Sequence, residues 1–98
     1  MTITNKREGN NLTVALEGKL DTASAPELEA FIKAELGGVE LLVLDLAKLK
    51  YTSSAGLRTI LLAQKTMNKQ GKMILKNVGE DIMDVFDMTG LIDLLTIE

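Results

Sequence analysis

The passage from Leu41 to Gly71 constrains the fold most strongly. Here the apolar run "LLVLDL" gives way within a few residues to "AGLRTILLAQKTMNKQG". Leu41 to Leu44 are apolar without alternation, and the segment is too short for a buried helix to be preferred, so it suits a central strand covered on both faces. The following stretch has helical spacing, with Leu57, Ile60, Leu61 and Met67 inward, Arg58, Lys65, Asn68 and Lys69 outward, and Gly71 as the stop. "KMILKNV" then returns as a strand. Such a strand-helix-strand crossover favours parallel neighbours joined with right-handed connections.

The flanking segments fit the same plan. In "NLTVALEGKL" the residues Leu12, Val14 and Leu16 alternate with Thr13, Ala15 and Glu17, the period of a strand with one buried face. The short "TIT" before it pairs as the other arm of a hairpin across Glu8 to Asn11. "SAPELEAFIKAELGG" is punctuated as a helix: Ser24 and Glu27 have capping-box spacing, Pro26 fits the first turn, and Gly37 and Gly38 terminate it. Leu28, Phe31, Ile32 and Leu36 form its apolar stripe. "EDIMDVFDMTG" reads as a third helix with acidic residues in its first turn, Ile82, Val85 and Phe86 on one face, and Gly90 past its end. The helical spacing of Ile82, Val85 and Phe86 favours core packing. "LIDLLTI" can close as a last strand. The fold class is α/β: a mixed, mostly parallel sheet of about five strands with helices packed on it. No linker or internal repeat interrupts the 98 residues, so residues 1–98 are expected to form one domain.

Composition removes whole classes of chemistry. The chain has no cysteine and no histidine, which excludes disulfides, thiolate catalysis, the usual zinc ligands and a histidine-based triad, and no metal or cofactor is expected. The formal net charge of −3 gives no overall attraction to nucleic acid or anionic lipid. Lys65, Lys69, Lys72 and Lys76 make one basic stretch, but no aromatic residues are interleaved for base stacking, so it reads as a solvated helix end with strand flanks. No signal peptide and no apolar run of roughly 20 residues is present, which makes a soluble, intracellular and cytoplasmic protein the expectation.

Three hydroxyls, Thr52, Ser53 and Ser54, stand where the central strand becomes a helix. One of them suffices as an N-cap, worth about 1 kcal/mol. The same place suits an anion, because a helix start offers free amides and partial positive charge. Arg58, four residues beyond Ser54, can pair with a phosphate on it. Ala55 and Gly56 leave room for another protein to approach. A nucleophilic serine is not supported: Gly-x-Ser-x-Gly is missing around Ser54 and there is no histidine base. No phosphate-cradling GxxxxGK[ST] loop is present. The chain is not expected to be an enzyme.

The run "LVLDLAKLKYTSSAGLRTILLAQKTMNKQGKMIL", with "LEGKLDTASAPEL" before it and "DVFDMTGLIDLL" after it, resembles the STAS domain of bacterial anti-sigma factor antagonists over nearly the whole chain. The most specific part is Asp45-Leu46, a short loop, then Ser53-Ser54-Ala55-Gly56-Leu57 opening a helix. The resemblance implies a partner-switching protein. Unphosphorylated, it binds an anti-sigma factor that is also a serine kinase and frees the sigma factor; phosphorylation at the position of Ser54 releases it, and a PP2C-type phosphatase restores it. It also implies a partner surface of Asp21, Thr22, Ser53, Ser54, Ala55, Gly56 and Arg58. By their residue types alone, Asp21 equally suits a turn-holding role, and Asp45 suits organisation of the strand-to-helix loop through backbone hydrogen bonds. Two positions depart from the family pattern: Ser53 where Asp is usual and Arg58 where Gly is usual, which bears on the identity of the kinase. The family also includes subunits of transport ATPases and signalling scaffolds, in which Ser54 would be only a cap.

Overall fold

The computed structural model describes residues 1–98. A hairpin of β1 (Thr2–Glu8) and β2 (Asn11–Leu20) is followed by α1 (Ala25–Glu35), β3 (Leu41–Thr52), α2 (Ser54–Asn68), β4 (Lys72–Lys76) and α3 (Glu80–Thr89). The sheet order is β1-β2-β3-β4, with β1 antiparallel to β2 and the remaining pairs parallel. One contiguous cluster of 22 buried apolar residues draws on β2, β3, β4 and all three helices, so these elements share one core. The α/β architecture matches the expectation. No helix is long and apolar enough to cross a membrane.

Three local expectations need correction. The last strand reduces to a single parallel bridge between Leu75 and Ile97, after a 3-10 turn at Leu91–Asp93, which leaves four strands rather than five. β3 is not enclosed on both faces: Leu42, Leu44 and Leu46 are buried, whereas Leu41 and Val43 are only half-buried on the opposite side. The capping box at Ser24 and Glu27 does not form. Ser24 takes helical dihedrals and its hydroxyl is engaged upstream, accepting from the Asp21 amide at 2.9 Å and donating to the Lys19 carbonyl at 2.8 Å.

β3 also runs six residues further than the apolar pattern implies, to Thr52, with no loop before α2. Against β2 it has two register shifts, each placing one extra residue in β3: Ala15 and Glu17 face Asp45 and Lys48, and Gly18 and Lys19 face Leu49 and Tyr51. At each bulge the buried period of two becomes three, which is why Leu46, Leu49 and Thr52 all point inward.

Two long-range side chains fasten the helices. Gln70 Nε2 donates to the carbonyls of Leu36 at 2.6 Å and Val39 at 2.7 Å, joining the end of α2 to the end of α1. Arg7 reaches the carbonyls of Glu35 and Gly37, where the negative end of α1 favours a cation.

Candidate functional site

Parallel pairing places Leu20 opposite Thr52, so β2 and β3 end together and both lead directly into helices. The Ser53 amide donates to the Leu20 carbonyl at 3.0 Å and carries the pairing one residue further. The segment after β2 therefore lies beside the start of α2. Thr22, Pro26 and Glu29 from the first, with Ala55, Arg58 and Leu62 from the second, line one groove between α1 and α2.

The three hydroxyls divide the work. Thr52 is buried, and its hydroxyl donates to the Ser53 carbonyl at 3.3 Å. Ser53 is the N-cap: it keeps extended dihedrals and its Oγ accepts the Gly56 amide at 3.4 Å. Ser54 is the first helical residue and is exposed. At this position the first-turn amides have no intrahelical acceptor, and the helix dipole adds partial positive charge. Arg58, one turn on, is exposed and takes part in neither of the two ion pairs, Lys6–Glu8 and Lys33–Glu29. Its guanidinium is free for another anion.

The other expected residues are distributed unevenly. Thr22 and Arg58 share the groove, and Ala55 is half-buried at its edge. Asp21 is used within its own turn: its Oδ1 accepts the Ala23 amide at 3.1 Å and the Ser24 amide at 3.0 Å, and lies 3.0 Å from the Ser24 hydroxyl, whose one proton it shares with the Lys19 carbonyl. These bonds, the Ser24 amide foremost, hold its carboxyl below the ordinary value. Gly56 is buried. The space that its missing side chain leaves is occupied by Thr52 and Leu20 of the same chain, so it gives a visiting protein no room.

Asp45 does organise a backbone feature, but the feature is a bulge rather than a loop. Its Oδ1 accepts the Ala47 amide at 3.0 Å, inside the first register shift, and the Asn77 side-chain amide at 3.0 Å. Asn77, a residue that sequence reasoning missed, ends β4 in the left-handed region at φ 58°. Asparagine tolerates that region better than most residues, which was the available signal. The Asn77 bond first, then the Ala47 amide, hold the Asp45 carboxyl below 3.8, with Lys48 and Lys76 adding attraction. A group whose pKa is lower folded than unfolded stabilises fully above its unfolded value, and loses that contribution as pH falls through the folded value. Wild type should therefore lose stability below about pH 4 in part through Asp45. Asp45→Asn should be less stable at neutrality and have a shallower acid limb in urea unfolding followed from neutrality to about pH 3; a constant difference across that range would exclude the linkage.

The sequence pattern of the STAS domain matches residues 2–98. The chain belongs to the STAS domain family. BtrV of Bordetella bronchiseptica is 33% identical over 99 residues, covering 99% of this STAS chain and 85% of BtrV. The anti-sigma-B factor antagonist of Bacillus subtilis is 33% identical over 94 residues, covering 94% of this chain and 85% of the relative. Among solved structures, the anti-sigma factor antagonist SpoIIAA in its unphosphorylated form superposes with a TM-score of 0.78 at 18% identity, over 99% of this chain and 87% of SpoIIAA. The phosphorylated form of SpoIIAA, from Bacillus, gives 0.77 at 20% identity, over 99% and 91%. At such identities the superpositions speak for the STAS fold alone.

Proposed function

We propose that this STAS domain is an anti-sigma factor antagonist whose unphosphorylated form binds an anti-sigma factor that is also a serine kinase, with release of the sigma factor. The kinase transfers the γ-phosphoryl group of ATP to Ser54 Oγ, the affinity falls, and a PP2C-type phosphatase hydrolyses the phosphoester to return the hydroxyl. Kinship to relatives named as anti-sigma factor antagonists supports the partner class. The observation that carries the switch is the exposed Ser54 hydroxyl at the mouth of α2, next to a groove holding Thr22 and an unpaired Arg58. The proposed contact surface is Asp21, Thr22, Ser53, Ser54, Ala55 and Arg58, with Gly56 supporting it from beneath.

Phosphorylation adds about −1.5 to −2 charge at Ser54. Within the domain the helix terminus offsets it by about 0.3–1 kcal/mol, up to ~2 when partly buried. The fold is thus expected to persist while the surface becomes repulsive to a partner shaped for a neutral hydroxyl. Incubation with the cognate anti-sigma kinase and ATP, followed by tandem mass spectrometry, should place a single phosphate on Ser54. Thr52 is buried and Ser53 Oγ is engaged as a cap, so both should stay unmodified. A phosphate on Ser53, or none at all, would overturn the assignment.

A further inference from the structure

Beyond the Ser54 region, the outer side of β4 is almost unused. β3 covers one side of β4; on the other, the C-terminal residues reach it only at Leu75. There the Leu75 amide donates to the Thr96 carbonyl at 2.9 Å, and the Leu75 carbonyl accepts the Glu98 amide at 2.9 Å. Backbone groups that face outward alternate along a parallel strand, so those of Met73 point to the same side as those of Leu75, and the tail makes no backbone bond to them. Beside this gap lies Gln64. Its residue is only 6% exposed, its Nε2 donates to Asn68 Oδ1 at 2.8 Å, and its carbonyl Oε1 is buried with no donor. A buried oxygen left in this way is unusual. Gln64, Asn68, Lys72, Met73, Thr96 and Glu98 line one cleft of about 290 Å³.

The tail already displays the chemistry that fits. Along β4, Met73 and Leu75 are buried, and Lys72 and Lys76 are exposed on the opposite face. Along the tail, Leu95 is buried and Ile97 half-buried, with Thr96 and Glu98 exposed. The pairing of Leu75 with Ile97 puts Glu98 level with Lys76. Exposed Lys65 and Lys69, adjacent in sequence to Gln64 and Asn68, make this end of α2 basic as well.

We propose that the outer edge of β4 is a strand-addition site for an extended segment of a partner protein, apolar at alternate positions and acidic between them. The segment replaces the tail at Leu75, extends the ladder to Met73 and donates a backbone N–H to Gln64 Oε1. A second copy of this chain is a poorer occupant, because two β4 edges would set lysine against lysine. The site lies about 15 Å along α2 from Ser54, at 1.5 Å per residue, and does not depend on the switch proposed there.

The test is titration of the ¹⁵N-labelled full chain with the peptide acetyl-Glu-Val-Glu-Val-Glu-Thr-amide, followed by NMR. Saturable shifts are expected at the Met73 and Leu75 amides and the Gln64 side-chain amide, with exchange of the Met73 amide slowed at least tenfold. The same peptide with lysine for glutamate should bind at least tenfold more weakly. Gln64→Met should fold at least as stably as wild type, since the orphaned oxygen is gone, yet bind about fivefold more weakly. Lys72→Glu, an exposed change, should weaken binding similarly and decides the matter if Gln64→Met does not fold. Absence of shifts at Met73 at millimolar peptide, equal binding of the lysine peptide, or the same shifts produced by raising protein concentration alone would overturn the proposal.

Discussion

Ser54→Asp is expected to weaken binding to the proposed anti-sigma kinase partner by about two orders of magnitude or more, while Ser54→Ala binds as wild type does and both variants stay folded. The reasoning follows from where the hydroxyl sits. Ser54 is exposed, so it contributes no buried contact to lose on substitution. The cap of α2 is made by the neighbouring Ser53, whose Oγ accepts the Gly56 amide, so replacing Ser54 leaves that bond in place. An added carboxylate at the first helical position is tolerated by the domain, because the helix start favours negative charge. Across an interface the balance reverses. A charge desolvated against a surface that evolved around a hydroxyl costs several kcal/mol, and each 1.4 kcal/mol is tenfold in affinity. Isothermal calorimetry with the purified kinase and the two variants measures this directly, with thermal unfolding as the check on folding. Equal affinity for wild type and Ser54→Asp would remove the electrostatic switch. Unfolding of Ser54→Asp would instead show that the position is structural.

The fold was legible in the sequence where burial follows a single period. Leu12, Val14 and Leu16 alternate in β2, and Leu28, Ile32 and Leu36 mark α1 at helical intervals; both sets are buried as expected. The pattern became unreadable where the backbone departs from regularity. In β3, two bulges turn the interval between buried residues from two to three, so "AKLKYT" looks like a loop although it is paired with β2 to the end. The C-terminal "LIDLLTI" has the composition of a strand but forms only one bridge, because a 3-10 turn takes up its first residues. At the site, the placement of Ser54 at a helix mouth could be inferred from strand-to-helix punctuation alone. Which of three adjacent hydroxyls is buried, which caps and which is free could not, since that depends on the register of Thr52 against Leu20. Gln64 was invisible for a similar reason: an isolated glutamine on a helix carries no sign that its oxygen will lie buried without a donor.

The second large effect is expected from Gly56→Ala, and its sign runs against helix propensity. Gly56 sits in the first turn of α2, where an exposed glycine replaced by alanine would gain roughly 1 kcal/mol. Here a Cβ would contact Thr52 Oγ1 and approach the Leu20 carbonyl oxygen to 2.6 Å and Leu20 Cγ to 2.7 Å. Neither neighbour can yield cheaply. Leu20 is fully buried and its carbonyl holds the Ser53 amide, while Thr52 closes β3 in register with Leu20. Overpacking typically costs 1–3 kcal/mol and more when backbone must move, so a net loss of about 2 kcal/mol or more is expected. For a domain of this size that corresponds to a fall in Tm of roughly 10 °C. Gly37→Ala is the matched control: no atom lies within 4 Å of its added Cβ and its φ is not positive, so its stability should be unchanged or slightly raised. Urea and thermal unfolding of the two variants beside wild type give the comparison. If Gly56→Ala proves as stable as wild type, α2 can slide away from the ends of β2 and β3. Ser54 would then not be held at a fixed place at the ends of β2 and β3, and the geometry on which a charge-based switch depends would be lost.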